Sequence, residues 1–479
     1  MLRKGAEMRI SIRRSGLAAL AGLMACAGGP VQAADAADAA GNGAAADGGG
    51  LGFLEGLGNS NGLLGDMGGL RPWLGEKGIT FTLSETSEVL GNVSGGNRRG
   101  FEYDGLTTAT LQMDTARAFG WEGGTVNISG LQIHGRNLSA DNLASLQTAS
   151  GIEADRGTRL WEAWYQQAIF GGKADVKLGQ QSLDQEFMVS QNALLFVNTM
   201  FGWPMLPSAD LPGGGPAYPL SDLGARLRLH AGQSVTLLAG VFNGSPSPRN
   251  GGDPQLGDRT GTDFTLKGAP LAMTELQYAT PPAAAGLPGT YKLGAWYDGR
   301  RFADQSVDSG GGSLAAPGST GVAAGHHGNY AFYGVADQMI WRDAAVADHN
   351  ANTFLRLMGT PQQDRVPIVF SLNAGLTLHA PFQGRTADTA GLGLGYTRVS
   401  HRLSELDEET GAYNGGFYPV RHSETFLEAT YQYALASWWQ LQPDVQYVFH
   451  PGGNVPQATD SGERVGDELV LGLRTNIQF

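Results

Sequence analysis

From Ile368 to His379 apolar and polar side chains alternate almost without a break. Ile368, Phe370, Leu372, Ala374, Leu376 and Leu378 fall on one face, and Val369, Ser371, Asn373, Gly375, Thr377 and His379 on the other. A period of two is the signature of a strand, whose side chains point alternately to its two faces. The run is 12 residues long. A tilted strand needs about 9–11 residues to cross a bilayer, whereas strands of soluble proteins average about 5–6. The chain end repeats the design. Leu469, Leu471, Leu473, Thr475, Ile477 and Phe479 alternate with Val470, Gly472, Arg474, Asn476 and Gln478. This pattern predicts an all-β protein: a transmembrane antiparallel β-barrel made from a single chain, with lipid on the apolar face and water on the other. A soluble β-sandwich also alternates, but with shorter strands.

Aliphatic residues fix the parity of each strand, and the opposite parity then names the lumen. Leu227 and Leu229 face lipid, which turns Arg226, Arg228 and His230 inward. Leu293 and Ala295 do the same for Lys292, Trp296 and Asp298. Glu162, Trp164 and Gln166 share the inner face of their strand. Leu427, Tyr431 and Tyr433 face out, so Glu424, Glu428 and Gln432 face in, and Gln440, Gln442, Asp444 and Gln446 share one parity. The assignment has an energetic basis, since a basic side chain on the lipid face at the midplane costs about 2–4 kcal/mol. One stretch resists it. Val126 and Ile128 set one parity and Leu131 and Ile133 the other, which predicts a bulge near Gly130. Aromatics at strand ends fit interfacial girdles: Trp161 and Tyr165, Tyr297, Tyr431 and Tyr433, Trp438 and Trp439, Tyr447 and Phe449.

Composition narrows the class further. Arg3, Lys4, Arg9, Arg13 and Arg14, then the apolar stretch Leu17–Ala27, then Val31-Gln32-Ala33, read as a secretory signal peptide over residues 1–33. Leu23-Met24-Ala25-Cys26 leaves open a lipidated Cys26. Cys26 is the only cysteine, so cleavage after Ala33 leaves a chain without disulfides. Residues 1–33 carry five basic side chains and one acidic, a net of +4 against −13 for the whole chain, so residues 34–479 stand at −17. Such a balance opposes nucleic-acid binding, where phosphate contacts need Lys and Arg. Charged residues are only 16% of the chain, below the roughly 25% of soluble proteins. Beyond the signal no segment reaches the 18 apolar residues of a transmembrane helix.

Residues 34–62, rich in Ala and Gly, are expected to form a flexible segment, and 63–78 a periplasmic lead-in. The barrel should run from Ile79 to Phe479. At roughly 25 residues for a strand with its share of turn and loop, this predicts about 16 strands, with 18 as the alternative. Gly/Pro-rich stretches at 203–219, 244–258, 280–289 and 308–328 read as loops. The non-alternating segment from Phe201 to Pro219 is the candidate for a loop folded into the pore.

Catalytic and metal motifs are thin. Gly58-Asn59-Ser60-Asn61-Gly62 fits the nucleophile-elbow pattern but lacks a preceding strand. His326-His327 sits in a glycine-rich loop and is better read as solvated than as a metal site. No zincin, P-loop or dinucleotide fingerprint occurs. The sequence therefore calls for no cofactor, no metal and no catalytic residue.

Several short motifs, in order along the chain, carry a specific resemblance. They are Gly68-Gly69-Leu70-Arg71-Pro72-Trp73-Leu74, Gly179-Gln180-Gln181-Ser182-Leu183-Asp184-Gln185-Glu186-Phe187, and Phe201-Gly202-Trp203-Pro204 with Pro207–Pro216. Gly240–Gly244, Tyr333–Gln338 and Leu441–Val448 complete the set. Together they resemble the OprB family of carbohydrate-selective porins. Met67 stands where that family more often has an aromatic. The resemblance implies a sixteen-stranded barrel in the outer membrane of a Gram-negative cell, passing small carbohydrates such as glucose by selective diffusion. Independently of it, Phe479, closing an amphipathic strand, resembles the signal read by the outer-membrane barrel assembly machinery, which is thereby an expected partner. Partners are then small carbohydrates and outer-membrane lipid, with the oligomeric state open. On this reading Glu162, Trp164, Arg226, Arg228, His230, Lys292, Trp296, Asp298, Glu424, Glu428 and Gln446 are candidate sugar-path residues. Carboxylates accept from sugar hydroxyls, guanidinium groups donate, and an indole stacks on a ring face. A general or anion-selective porin, a barrel enzyme and a soluble exported β protein stand as alternatives.

Overall fold

The computed structural model describes residues 62–248, 252–281, 286–457 and 462–479. The expected signal peptide, Cys26, residues 34–61 and most of the Gly58–Gly62 motif lie outside the described residues. Sixteen strands follow in order. They are β1 (Ile79–Ser94), β2 (Gly100–Asp114), β3 (Gly124–Gly135), β4 (Gly157–Ile169), β5 (Ala174–Gln181), β6 (Asp222–Ala231), β7 (Val235–Phe242) and β8 (Leu271–Ala279). Then come β9 (Gly289–Asp308), β10 (Ala323–Arg342), β11 (Asn350–Gly359), β12 (Ile368–His379), β13 (Thr389–Val399), β14 (Ser423–Ala436), β15 (Trp439–Phe449) and β16 (Glu468–Gln478). Each pairs antiparallel with its chain neighbours, and β16 pairs with β1 from Ser84↔Gln478 to Ser94↔Leu469, so the sheet closes on itself. Closure leaves no unpaired edge, which a bilayer demands because it offers no water to satisfy backbone groups.

Short turns such as 170–173, 232–234 and 437–438 gather at one end, and the long connections 136–156, 182–221 and 243–270 at the other. By this asymmetry the turns are periplasmic and the long connections extracellular. Ahead of β1, a helix at Leu70–Glu76 lies close to the closing strand: Arg71 donates to the carbonyl oxygens of Gly65 and Phe479, and Leu63 N–H to Gln478 O at 2.8 Å.

The outer face follows the predicted parity, with Leu227, Leu293, Leu376, Leu427 and Leu473 all exposed toward lipid. Tyr297, Tyr433, Trp439 and Tyr447 are exposed among them, in the girdle positions expected. Four local expectations are corrected. Trp161 is not a girdle residue: it is buried inside the wall, edge-on to Tyr218 at 6.3 Å. The irregularity near Gly130 exists, but the extra residue is Trp161 on β4. There Ser129 pairs with Glu162 and Gly130 with Leu160, while β3 stays in continuous register with β2. Leu131 and Ile133 therefore keep the inward parity and pack against Ile152 and Tyr218. At the start of β12 a shift between Ile368 and Phe370 turns Ile368 into the interior, so the lipid face of that strand begins at Phe370. Finally, β9 and β10 extend as far as Asp308 and from Ala323, which shortens the 308–328 loop.

The interior is not uniformly polar. Segment 182–221 folds back into the barrel and brings an apolar core with it. Phe196 stacks on Phe201 at 4.4 Å, and Phe201 meets Phe354 and Phe426 edge-on at 5.7 and 5.4 Å. Phe354 and Phe426 occupy inward strand positions, as do Phe242, Met273 and Trp296. The wall makes room where the plug leans on it. A Cβ on Gly393 of β13 would stand 2.5 Å from Phe201, and one on Gly391 2.7 Å from Leu195. Glycine at these inward positions is a steric requirement of the aromatic plug.

Candidate pore-lining site

Folding a segment into a barrel strands its backbone polar groups away from bulk water, so the wall must supply their partners. It does so largely with inward carboxylates. Glu428 accepts from the N–H groups of Val197 and Asn198 at 2.6 and 3.0 Å. Glu424 accepts from Leu146, Gln147 and Gly452 at 2.7, 2.8 and 2.6 Å. Glu275 accepts from Met188 N–H at 2.7 Å, Glu468 from Ala144 N–H at 2.8 Å, and Asp337 from Ser190 Oγ at 2.6 Å. Wall donors hold the carbonyl side. Arg356 donates to the oxygens of Met188, Gly202 and Phe201 at 2.9, 3.0 and 3.0 Å, and also to Met200 O. Lys292 Nζ donates to Val189 O at 2.6 Å, and Gln446 Nε2 to Ala149 O at 2.8 Å.

This arrangement sorts the candidate residues. Glu424, Glu428, Gln446 and Lys292 face inward as expected, but each is spent on the inserted segments, and Glu424 and Gln446 are fully buried. Trp296 lies in the apolar plug, where no ring face is open. Asp298 is buried against Arg300, with Nε at 2.9 Å from its carboxylate. Glu162 accepts from Ser182 N–H at 3.1 Å, where the inserted segment leaves β5. The structure does not bring these residues to one open surface.

It does bring Trp164, Arg226, Arg228 and His230 together along β4–β6. Gln166, Lys177 and Arg226 lie side by side across the three strands. Arg226 pairs with Asp175 and with Glu186, and its Nη2 stands 3.1 Å from Gln166 Oε1. Arg228 Nη2 lies 3.3 Å from Glu186 and keeps 31% of its side chain exposed. Lys177 pairs with Glu186 and sits 4.2 Å from the ring centroid of Trp164. His230, exposed further along, contacts Thr236 Oγ1 at 3.1 Å. Glu186, which the inserted segment supplies, thus gathers three cations. Burial alone would raise its carboxyl, but Lys177, Arg226 and Arg228 outweigh that effect and hold it at about 2. Asp175 and Lys177 were legible by the parity test, since they alternate with Val176 and Leu178. Arg356, between Leu355 and Leu357, was legible in the same way. The role of Glu186 could not be read by parity, because it lies outside any strand, although the residue falls within the Gly179–Phe187 motif.

One expected outcome follows from the gathered cations. Glu186→Gln should leave three positive side chains facing one remaining carboxylate, so the reversal potential in a salt gradient should shift toward anion selectivity. Because the folded carboxyl is held at about 2, its charge is present above that value and lost only as pH falls through it. The wild type should therefore keep its ion selectivity at this cluster through mild acid, and an unchanged reversal potential in the variant would refute the assignment.

A family model described as the carbohydrate-selective porin, OprB family, matches residues 98–479. The chain belongs to this family. Porin B of Pseudomonas aeruginosa is 25% identical over 442 residues, covering 88% of this chain and 92% of that protein. The high-pH structure of Pseudomonas putida OprB superposes with a TM-score of 0.77 at 24% identity, covering 88% of this chain and 99% of the other. The low-pH structure of the same protein gives 0.51 at 17% identity. The two likenesses establish the fold, and family membership establishes the class: an outer-membrane porin for carbohydrates, a channel and not an enzyme. Among the described residues no group of three or more His, Cys, Asp or Glu could hold a metal ion. His326 is tied to Asp304 at 2.7 Å.

Proposed function

We propose that this porin passes monosaccharides in preference to ions and amino acids of similar size, and that the β4–β6 surface sets the preference. The observation that carries this reading is the mixed-sign cluster of Asp175, Lys177, Glu186, Arg226 and Arg228, largely internally paired, beside Trp164. A paired cluster presents fixed donors and acceptors to neutral hydroxyls while offering a passing ion little unbalanced charge. Arg228 is its accessible member and His230 is exposed further along the same strand, so these are the side chains a sugar meets first. Sugar binding there must stay weak, because a tight site blocks conduction. Glu162, Lys177 and Arg226 act on this reading as the frame that orients them.

A second reading, anion preference, draws on the cluster's own balance of three cations to two carboxylates. Liposome swelling with glucose, a neutral amino acid and an oligosaccharide, together with bilayer current with and without glucose, separates the two. Glucose should swell liposomes faster than the size-matched amino acid and should lower the ionic current. Arg228→Ala removes one charge-assisted donor worth about 1 kcal/mol, so glucose should block the current about fivefold more weakly. Swelling that follows molecular size alone, with current indifferent to sugar, would show a general pore.

A further inference from the structure

From β9 to β13 the outer wall changes character at its extracellular rim. Tyr297 of β9, Phe332 of β10 and Tyr396 of β13 face outward at the upper edge of the apolar band. Arg301 stands four residues beyond Tyr297 and Arg398 two beyond Tyr396, both with outward parity and both toward the extracellular end. His327 pairs opposite Arg301, and Phe370 opposite Arg398. Arg301, His327 and Arg398 are all exposed. A strand rises about 3.3 Å per residue and tilts about 35–45° in a barrel, which sets the two arginines about 5–10 Å above the aromatic belt. That is the layer of lipid headgroups.

The two arginines are also free. Neither forms a hydrogen bond or an ion pair among the described residues. Other charges of this rim and of the helix His401–Asn414 are matched: Asp364 to Arg365 at 2.8 Å, Glu405 to Arg402 at 3.0 Å, and Asp407 to Arg421 at 2.6 Å. On that helix Glu408 stays exposed and unpaired, against two free guanidinium groups. Arg365 donates to the carbonyl oxygen of His327 at 2.9 Å, which holds the β11–β12 connection beside β10. The side chain of Arg301 lies over Gly325, where an added Cβ would meet Nη2 at 2.5 Å. Gly325 pairs with Ala303, further from the membrane than Arg301. The guanidinium thus points away from hydrocarbon, as a snorkelling cation does. Below the belt the same wall exposes Leu293, Leu355, Leu376 and Leu392.

We propose that the outward rim of β9–β13 is a docking surface for lipopolysaccharide, a glycolipid that carries phosphorylated sugars above acyl chains. Arg301 and Arg398 take its phosphates, since a guanidinium offers paired N–H donors that match phosphate oxygens. Four strand spacings of about 4.8 Å separate the two, so each takes a phosphate of its own. The aromatic belt lies beneath the sugars, and the leucines meet the acyl chains. Cation, aromatic and aliphatic layers follow one another down the wall in the order in which this lipid presents headgroup and hydrocarbon. A zwitterionic phospholipid lacks the net negative charge that two unpaired arginines select.

Binding of fluorescent lipopolysaccharide to the folded, lipid-depleted porin in detergent micelles tests this. The wild type should bind the intact glycolipid at least about tenfold more tightly than the same glycolipid stripped of phosphate, the loss expected for charge-assisted bonds. Arg301→Gln with Arg398→Gln should weaken binding of the intact glycolipid by about the same factor while the barrel keeps its heat-resistant mobility. Arg342→Gln, at the exposed periplasmic end of β10, should leave binding unchanged. Neither phosphatidylethanolamine nor inorganic phosphate should displace the glycolipid. Equal affinity for the phosphate-free form would overturn the proposal, and this comparison needs no variant to fold. A heat-resistant double variant that binds like the wild type would overturn it as well. So would an equal loss in Arg342→Gln, which would mark a general charge effect, or displacement by inorganic phosphate, which would mark a site for free anions.

Discussion

Arg356→Met should open the channel. The guanidinium bonds the carbonyl oxygens of Met188, Met200, Phe201 and Gly202, and Asn373 Oδ1 at 3.2 Å. It thus fastens both Met188, near the entry of segment 182–221, and the aromatic centre at Phe201. Methionine keeps much of the volume and removes every donor. Each buried acceptor left unpaired costs about 1–3 kcal/mol, so the folded-in segment should lose several kcal/mol of its hold. The β11 strand keeps its ladder to β10 and β12, so the barrel itself should stay intact. Expected results are a higher single-channel conductance, faster swelling with an oligosaccharide, and new protease cleavage within 182–221. An unaltered conductance with an intact segment would show that the carboxylate anchors suffice alone.

Phe479→Ser should deplete folded porin from the outer membrane. Phe479 N–H donates to Leu83 O at 2.9 Å, and its carbonyl oxygen receives Arg71, so the residue knits β16, β1 and the lead-in helix together at the seam. The ring is half-buried. Losing it forfeits about 1.5 kcal/mol of apolar burial, about tenfold in an equilibrium between closed and open seam. Loss of the ending that resembles an assembly signal should add to this. Heat-modifiable mobility on gels and surface labelling measure the folded fraction. Wild-type levels of folded barrel would show that Phe479 is only the end of a strand. Arg71→Ala, which spares the ring, should lower thermal resistance without the assembly defect, and so distinguishes the seam from the signal.

Both variants act at contacts between distant parts of the chain. Glu428 and Val197 are separated by 231 positions, and Glu424 and Leu146 by 278. A polar lumen residue reads the same from sequence whether it meets water, a sugar or a folded-in backbone. The apolar inward positions, Phe354 and Phe426 among them, likewise become intelligible only beside Phe201.

The class of fold was legible in the chain because alternation is a local property. Backbone geometry points successive side chains of a strand to opposite faces, and the long runs of β12 and β16 record which face meets lipid. The same parity placed Glu162, Trp164, Arg226, Arg228, Lys292, Glu424 and Gln446 on the inner face. What each does there was decided only by tertiary structure. Backbone N–H and C=O groups carry no side-chain signature, so nothing in the sequence marks Val197 or Leu146 as partners for a wall carboxylate. The exceptions in parity, Leu131 and Ile133, followed the same logic: burial inside the barrel beneath Tyr218 satisfies them as well as lipid would. Periodicity therefore determined the wall, and long-range satisfaction of buried polar groups determined how the lumen is filled and which few side chains still face the open path.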